Sequence, residues 1–532
     1  MSDGKMDWMV GQVLAGRMPR REFIGRAGAM GVGVAAATTM LSSAGVAAEP
    51  IKGGTVNLAT EYSGPEETFD TTKMTNSTDI QRSYQVYDRL FDLDRDLKVV
   101  PSLATEWEAA NDAAEWTFKL RDGVEFHDGK TMTAADVIYS LHVHIKEGSE
   151  SPAKSLLDSI IDMQADGDGV VKITLNSGNA DFPTLLGYDY HTSIIPEGWV
   201  DGMPVNGTGL YRLTDFTPGL ESVTERFGNY WDSSVGHVDG IITRGVPDGA
   251  ARTNALRSGD IDICRDIEAR VAALLVQDPG VEVISTPSGA WFGWIMACDR
   301  APTNDLNLRL AMKHAVDRQY LVDNVLLGNG KVANDFPVNP GLPTYCREIP
   351  QYVYDPEKAK FYWDKTGLSS ITIDVSNAAH PNALDCSVIL QEQAKAAGIT
   401  IELNRVPDDG YWSDTWMQVP FCATSWNSRP TADSILTIAY ASGGSWNETF
   451  WSNARFDELL ILGRKETDPA KRAEIYCEAE TILHDDGGSV VPFFTNDING
   501  IGKRIQNFHG SPANQMGAGW PYKEMWIDDS MA

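Results

Sequence analysis

The stretch from Ile371 to Leu403, ITIDVSNAAHPNALDCSVILQEQAKAAGITIEL, decides the fold class because its hydrophobic spacing changes twice. Ile371, Ile373 and Val375 alternate with polar neighbours, the period of a strand. A helical stretch follows through Ile389 and Ala396 and stops at Gly398, a residue that tolerates the left-handed end of a helix. Alternation resumes at Ile399, Ile401 and Leu403. Two strands joined by a helix are expected to pair in parallel, because a crossover returns the chain to the same end of the sheet. Short strands and helices alternate throughout the rest of the chain, with no internal repeat and no low-complexity tract in the region after residue 48. An α/β protein is predicted.

Toward the N-terminus, Trp116, Phe118 and Leu120 alternate with Glu115, Thr117 and Lys119. The pattern breaks at Asp122-Gly123 and resumes at Val124 and Phe126, which reads as a hairpin. Thr133, followed three residues later by Asp136, caps a helix with Val137, Leu141 and Ile145 on one face. A further helix is expected from Leu308 to Leu327.

The 532 residues carry 44 basic and 74 acidic side chains, a net charge of -30, with 42% hydrophobic residues. Such a chain repels phosphate backbones and anionic lipid headgroups, so nucleic acid and charged membrane surfaces are excluded as partners. The length gives a prior of about three to four folding units.

Residues Ala27 to Ala48 carry no charge, are rich in Ala, Gly and Val, and follow a basic stretch. They read as an export signal occupying residues 1 to 48, cleaved near Ala48, which sends the protein to the periplasm. Just upstream, Arg20-Arg21-Glu22-Phe23-Ile24 resembles the twin-arginine export motif, with Pro19 and Gly25 departing from it. Without residues 1 to 48 there are 39 basic against 71 acidic side chains, a net -32. Cys264, Cys298, Cys346, Cys386, Cys422 and Cys477 then lie in an oxidising compartment. None has C-x-x-C spacing, so one or two structural bridges plus buried thiols are expected.

The segment Leu103 to Leu141 resembles the extracellular solute-binding protein family 5, the peptide, nickel and opine receptors of bacterial ABC importers. The likeness lies in Ala-x-x-Trp-Glu, Thr-Phe-x-Leu-Arg, Gly-Val-x-Phe-His-Asp-Gly and Thr-Ala-x-Asp-Val. It continues at Asn206 to Leu213, Asn229 to Trp231, Ala255 to Ile263, Arg309 to Arg318, Tyr354 to Lys360 and Phe456 to Leu460. The resemblance implies a two-lobed periplasmic binding protein fold of type II, with an extra domain inserted in lobe I. Residues 49-80, 210-288 and 495-532 are expected to form lobe I, 81-209 the inserted domain, and 289-494 lobe II. It further implies a monomer that closes around a solute and delivers it to an ABC permease and ATPase complex in the inner membrane.

Residue patterns of other chemistries fall short. GVEFHDGKT, from Gly123, has five residues between its glycines where a phosphate loop needs four. The glycines at 328 and 330 follow a helix where a dinucleotide fingerprint follows a strand. Asp92, Asp94 and Asp96 have calcium-loop spacing without the turn glycine or the closing glutamate. His142 and His144 point to different faces of one helix. There is no G-x-S-x-G and no H-E-x-x-H. No cofactor, no metal and no catalysis are expected, and a secreted hydrolase is the reading of another class.

Ten of the fifteen tryptophans follow residue 288. Trp291, Trp294, Trp412, Trp416 and Trp426, near strand ends and turns, are the aromatic candidates for a ligand pocket, with Tyr62 from the first lobe. Indoles also suit a sugar or a quaternary-ammonium osmolyte, the alternative ligand classes. In the peptide receptors of the family, the loop after the corresponding tryptophan carries an aspartate for the peptide's α-amino group. Here Arg429 stands at or beside that position, and Asp433 is either a shifted acid or the partner of Arg429.

Overall fold

The computed structural model describes residues 3–14, 18, 20–30, 32, 50–444, 446–510, 512 and 519–531. It divides into two units, Met1–Lys52 and Gly53–Ala532. In the first, helices Asp3–Leu14 and Arg20–Ala29 bury Met6, Met9, Met18, Phe23 and Ala27. Most of the uncharged stretch 27–48 and the expected cleavage site lie outside the described residues. Among the described residues no helix is long and apolar enough to cross a membrane.

In the second unit the alternation at 371–403 becomes strand Ile371–Val375, helix Ala383–Ala394 and strand Ile401–Arg405, paired in parallel from Ile371 with Ile401 to Val375 with Arg405. Gly398 ends the helical segment at φ 71°. These strands form one edge of an 11-stranded sheet. From that edge the order is Ile401–Arg405, Ile371–Val375, Phe421–Trp426, Val281–Met296, Ser489–Gly502, Ile263–Cys264, Thr55–Thr60, Gly240–Gly245, Glu221–Arg226 and Tyr211–Thr217, with Gly330–Val332 also on Ser489–Gly502.

The strands Val281–Met296 and Ser489–Gly502, 16 and 14 residues long, lie side by side near the middle of the sheet. Val281 to Pro287 pair with Gly502 to Asn496, and Trp291 to Ile295 pair with Phe494 to Ser489, with a shift of register between Pro287 and Trp291. The expected border between lobe I and lobe II, at residues 288 and 289, falls within that shift. Phe292, Trp294, Ile373, Leu390 and Phe493 belong to one core, while a larger cluster reaches from Val56 and Leu58 to Trp291, Trp426 and Phe456.

A separate four-stranded antiparallel sheet holds Ala104–Ala110, Glu115–Leu120, Val170–Leu175 and Ile160–Ala165, in that order. Helix Ala134–Ile145 begins at a capping box of Thr133 and Asp136, and Val137 and Leu141 face the core with Phe118 and Phe126. The expected hairpin from 115 to 126 does not form. Glu115–Leu120 pairs instead with Ala104–Ala110 and Val170–Leu175. Val124 and Phe126 turn back through Gly129, with Phe126 N–H donating to the Lys130 carbonyl and Met132 N–H to the Val124 carbonyl. The helix expected from Leu308 to Leu327 is two, Leu306–His314 and Arg318–Asn324, because the Asp317 carboxylate caps the second by accepting from Tyr320 N–H at 2.9 Å. The expected border between residues 80 and 81 falls inside helix Ser77–Val86.

Cys346 and Cys477 form a disulfide, while Cys264, Cys386 and Cys422 are buried thiols and Cys298 is a half-buried one. Asp94 closes a turn by accepting from Asp96 and Lys98 N–H, and among the described residues no His, Cys, Asp or Glu group is arranged for a metal.

Candidate functional site

In open α/β sheets ligands collect beyond the carboxyl ends of parallel strands, where loops rather than side-chain layers cover the edge. In the first lobe Gly240–Gly245, Thr55–Thr60 and Ile263–Cys264 are adjacent and parallel, and the residues just beyond the last two include Glu61, Tyr62 and Arg265. Arg265 is buried, its Nη2 is 3.6 Å from Glu61 Oε1, and its Nε and Nη1 have no hydrogen-bond partner among the described residues. Burial raises the carboxyl of Asp266 above its ordinary range, and the negative charges of Glu61 and Asp497 add to the effect.

In the second lobe the corresponding loop follows Phe421–Trp426. Trp426 pairs with Trp291 across neighbouring strands, which places the two indoles on the same face of the sheet, 6.4 Å apart and 10° from parallel. Trp446, 44% exposed, meets Trp426 at 5.6 Å in an edge arrangement. Behind them lies Glu448, wholly buried. Its Oε1 accepts from Trp426 Nε1 at 2.8 Å, and its Oε2 accepts from Thr424 Oγ1 at 2.8 Å and from Trp416 Nε1. Burial pushes the Glu448 carboxyl up to about 7, against the opposing pull of these hydrogen bonds.

Arg429 is half-buried, with its guanidinium 5.6 Å from the Trp426 ring. Among the described residues no carboxylate lies within 4.0 Å of it. The expected alternative, a pair with Asp433, is corrected by the structure: Asp433 is held by Arg464 through contacts of 2.9 and 3.1 Å and also accepts from Thr437. Asp433 sits in the first turn of helix Ala432–Tyr440, whose N-cap Thr431 forms a capping box with Ser434. The loop is pinned from the four-stranded domain by the Tyr188 hydroxyl, which donates to the Ser428 carbonyl at 3.0 Å.

Of the residues singled out from the sequence, the structure brings together Trp291, Trp426 and Arg429, and joins Trp416 to them through Glu448. Trp294 stands apart. Strand alternation turns it to the opposite core, where it is fully buried, donates to Ser387 Oγ at 2.8 Å and packs on Phe292. Trp412 is 44% exposed on the turn Tyr411–Thr415 and touches only the edge of Trp416 within this group. Tyr62 lies at the first-lobe strand end, with its carbonyl accepting from Thr78 Oγ1 at 2.7 Å. Sequence reasoning passed over Glu448, Trp446, Tyr188, Glu61 and Arg265. The one available signal was an acid two residues after a tryptophan in Trp446-Asn447-Glu448.

The profile of the bacterial extracellular solute-binding proteins, family 5 Middle, matches residues 98–448. The heme-binding protein A of Haemophilus influenzae is 26% identical over 476 residues, covering 81% of this chain and 85% of its own. The glutathione-binding protein GsiB of Salmonella typhi is 27% identical, covering 75% and 81%. The probable D,D-dipeptide-binding periplasmic protein DdpA of Escherichia coli is 26% identical, covering 84% and 90%. Among solved structures, HbpA2 from Haemophilus parasuis superposes with a TM-score of 0.78 at 22% identity, over 89% of this chain and 100% of its own. AgaA from A.tumefacien R10, in complex with agropinic acid, gives 0.73 at 22% identity, over 89% and 99%. The shared fold is that of two-lobed periplasmic binding proteins, and the chain belongs to the bacterial extracellular solute-binding proteins of family 5.

Proposed function

We propose that this chain is a periplasmic substrate-binding protein of an ABC importer, without catalysis, that captures a short peptide or a peptide-like or opine-like solute carrying an exposed carboxylate. The observation that carries the reading is Arg429, a guanidinium beside an indole at a strand end, with no carboxylate within 4.0 Å among the described residues of a chain of net charge -30. A fixed fork of donors in that position suits a planar oxyanion. Relatives named for glutathione and dipeptides, and a structural neighbour holding agropinic acid, support the same class of solute. Arg429 also occupies the surroundings of the Trp426 ring that a quaternary ammonium would need, which speaks against an osmolyte.

Calorimetry of short peptides and opines against the purified protein tests this reading. A bound peptide should be recovered intact, its C-terminal amide should bind more weakly than the free acid, and Arg429→Ala should lose about tenfold to a hundredfold in affinity, the worth of a charge-assisted hydrogen bond. Arg429→Lys should recover only part. Equal affinity of acid and amide, or an unchanged Arg429→Ala, would remove the carboxylate from the reading. Export belongs to the same proposal: replacing Arg20 and Arg21 by lysine should hold the precursor in the cytoplasm, and normal periplasmic yield would reject the twin-arginine route.

A further inference from the structure

Glu448 is a buried carboxylate with no Lys, Arg or His nitrogen within 4.0 Å among the described residues. An uncompensated buried acid is costly, and nature usually replaces it by an apolar residue unless its oxygens are needed. Here three donors converge on it, Trp416 Nε1, Trp426 Nε1 and Thr424 Oγ1. An indole N–H only donates, so the group between two indoles must only accept, and an ionised carboxylate is the side chain that does this with both of its oxygens. A glutamine of the same shape has one accepting oxygen. With that oxygen toward Trp416 and Thr424, its NH2 would face the Trp426 N–H across 2.8 Å, donor against donor.

The consequence reaches the wall of the candidate site. Trp426 lies between Trp291, Trp446 and the guanidinium of Arg429, so whatever fixes its plane fixes the surface these groups share. We propose that Glu448 is a positioning residue for solute binding, holding Trp416 and Trp426 in preset planes so that the aromatic wall beside Arg429 is built before the solute arrives. The inference rests on the proposed function only in placing that wall in the solute site; the locking of the indoles is a property of the free protein. Preorganised walls bind more tightly because the ordering cost is met in folding.

The decisive experiment uses the exported full chain without ligand and then with trialanine as probe. In Glu448→Gln the near-UV circular dichroism of the tryptophans should lose intensity while the far-UV spectrum stays native, and trialanine should bind about tenfold more weakly, the loss of roughly one well-placed hydrogen bond's worth of order. Arg429→Ala should leave the near-UV signal unchanged. Should Glu448→Gln fold poorly, the pair Glu448→Gln with Trp426→Phe removes the facing donor and should restore the melting temperature without restoring affinity. A Glu448→Gln protein with wild-type near-UV spectrum, or a double variant that binds trialanine like wild type, overturns the positioning role. Failure of wild type to bind trialanine would count against the peptide reading alone, because the ligand-free spectra decide the role of Glu448.

Discussion

At the scale of the residue, the same glutamate sets binding and stability against each other. Its folded pKa, pushed up to about 7 by burial from an ordinary 4.5, means that the native state holds the proton more tightly than the unfolded chain. The stability it contributes is therefore fully present below about pH 4.5 and is lost as pH rises through about 7. The ionised form, however, is the one that accepts from both indoles and Thr424 with no proton of its own to place. The ionisable groups that feel Glu448 are Tyr411, Cys422 and Tyr440, and burial raises each of them, so none changes charge in that window. Against Glu448→Gln as reference, wild type is expected to lose melting temperature between pH 5 and pH 8 while its near-UV tryptophan signal strengthens. Paired thermal melts and spectra at each pH check this, and a wild-type difference that is flat across the range would contradict it.

At the scale of the element, the strands Val281–Met296 and Ser489–Gly502 cross the expected border between the lobes, and the irregularity between Pro287 and Trp291 is where their register shifts. Gly289 lies in it. A Cβ there would come 2.6 Å from Asn339 Nδ2 and from Ser428 Oγ and 2.7 Å from Asn339 Cβ, in buried surroundings with no slack. Gly289→Ala should lower stability by about 1–3 kcal/mol through overpacking. Because Ser428 is one of the displaced groups, affinity should fall with it, and a denaturant midpoint and binding constant equal to wild type would count against this account. Periodicity made the crossover unit at 371–403 legible, since each of its elements is long enough to show its own spacing. It misplaced the partner of Glu115–Leu120, because a turn signal says that the chain reverses and not which strand it meets. Arg429 was readable from its neighbour Trp426, whereas Glu448 was not, because the donors that define it come from 22 to 32 residues away in the chain.

At the scale of the whole molecule, Asp433, a candidate ligand anchor on sequence grounds, belongs to a charge network that ties helices between residues 432 and 486 to the four-stranded domain. Asp433 pairs with Arg464, and Asp181 of that domain pairs with Arg472, with Asp181 and Asp433 close enough to repel. The Ala180 N–H also donates to the Arg464 carbonyl at 2.7 Å. These groups are largely sheltered, whereas the Arg270 to Asp385 contact at 2.9 Å between the lobes is exposed, and exposed pairs contribute little. The sheltered pair is therefore expected to be the stronger restraint on how far the lobes separate. Arg472→Ala leaves Asp181 buried beside Asp433 without its cation, a loss of about 3–5 kcal/mol that opening and hydration would relieve. The expected result is a larger radius of gyration for the ligand-free variant by small-angle scattering, brought back toward the wild-type value by bound solute, since solute stabilises the closed form. Affinity should fall even though Arg429, Trp426 and Glu448 are untouched, because a smaller share of the free protein is closed. Arg270→Ala, which removes only the exposed pair, should change neither quantity. A variant Arg472→Ala with the wild-type radius and wild-type affinity would show that the network holds the second lobe's own helices together and has no part in closure.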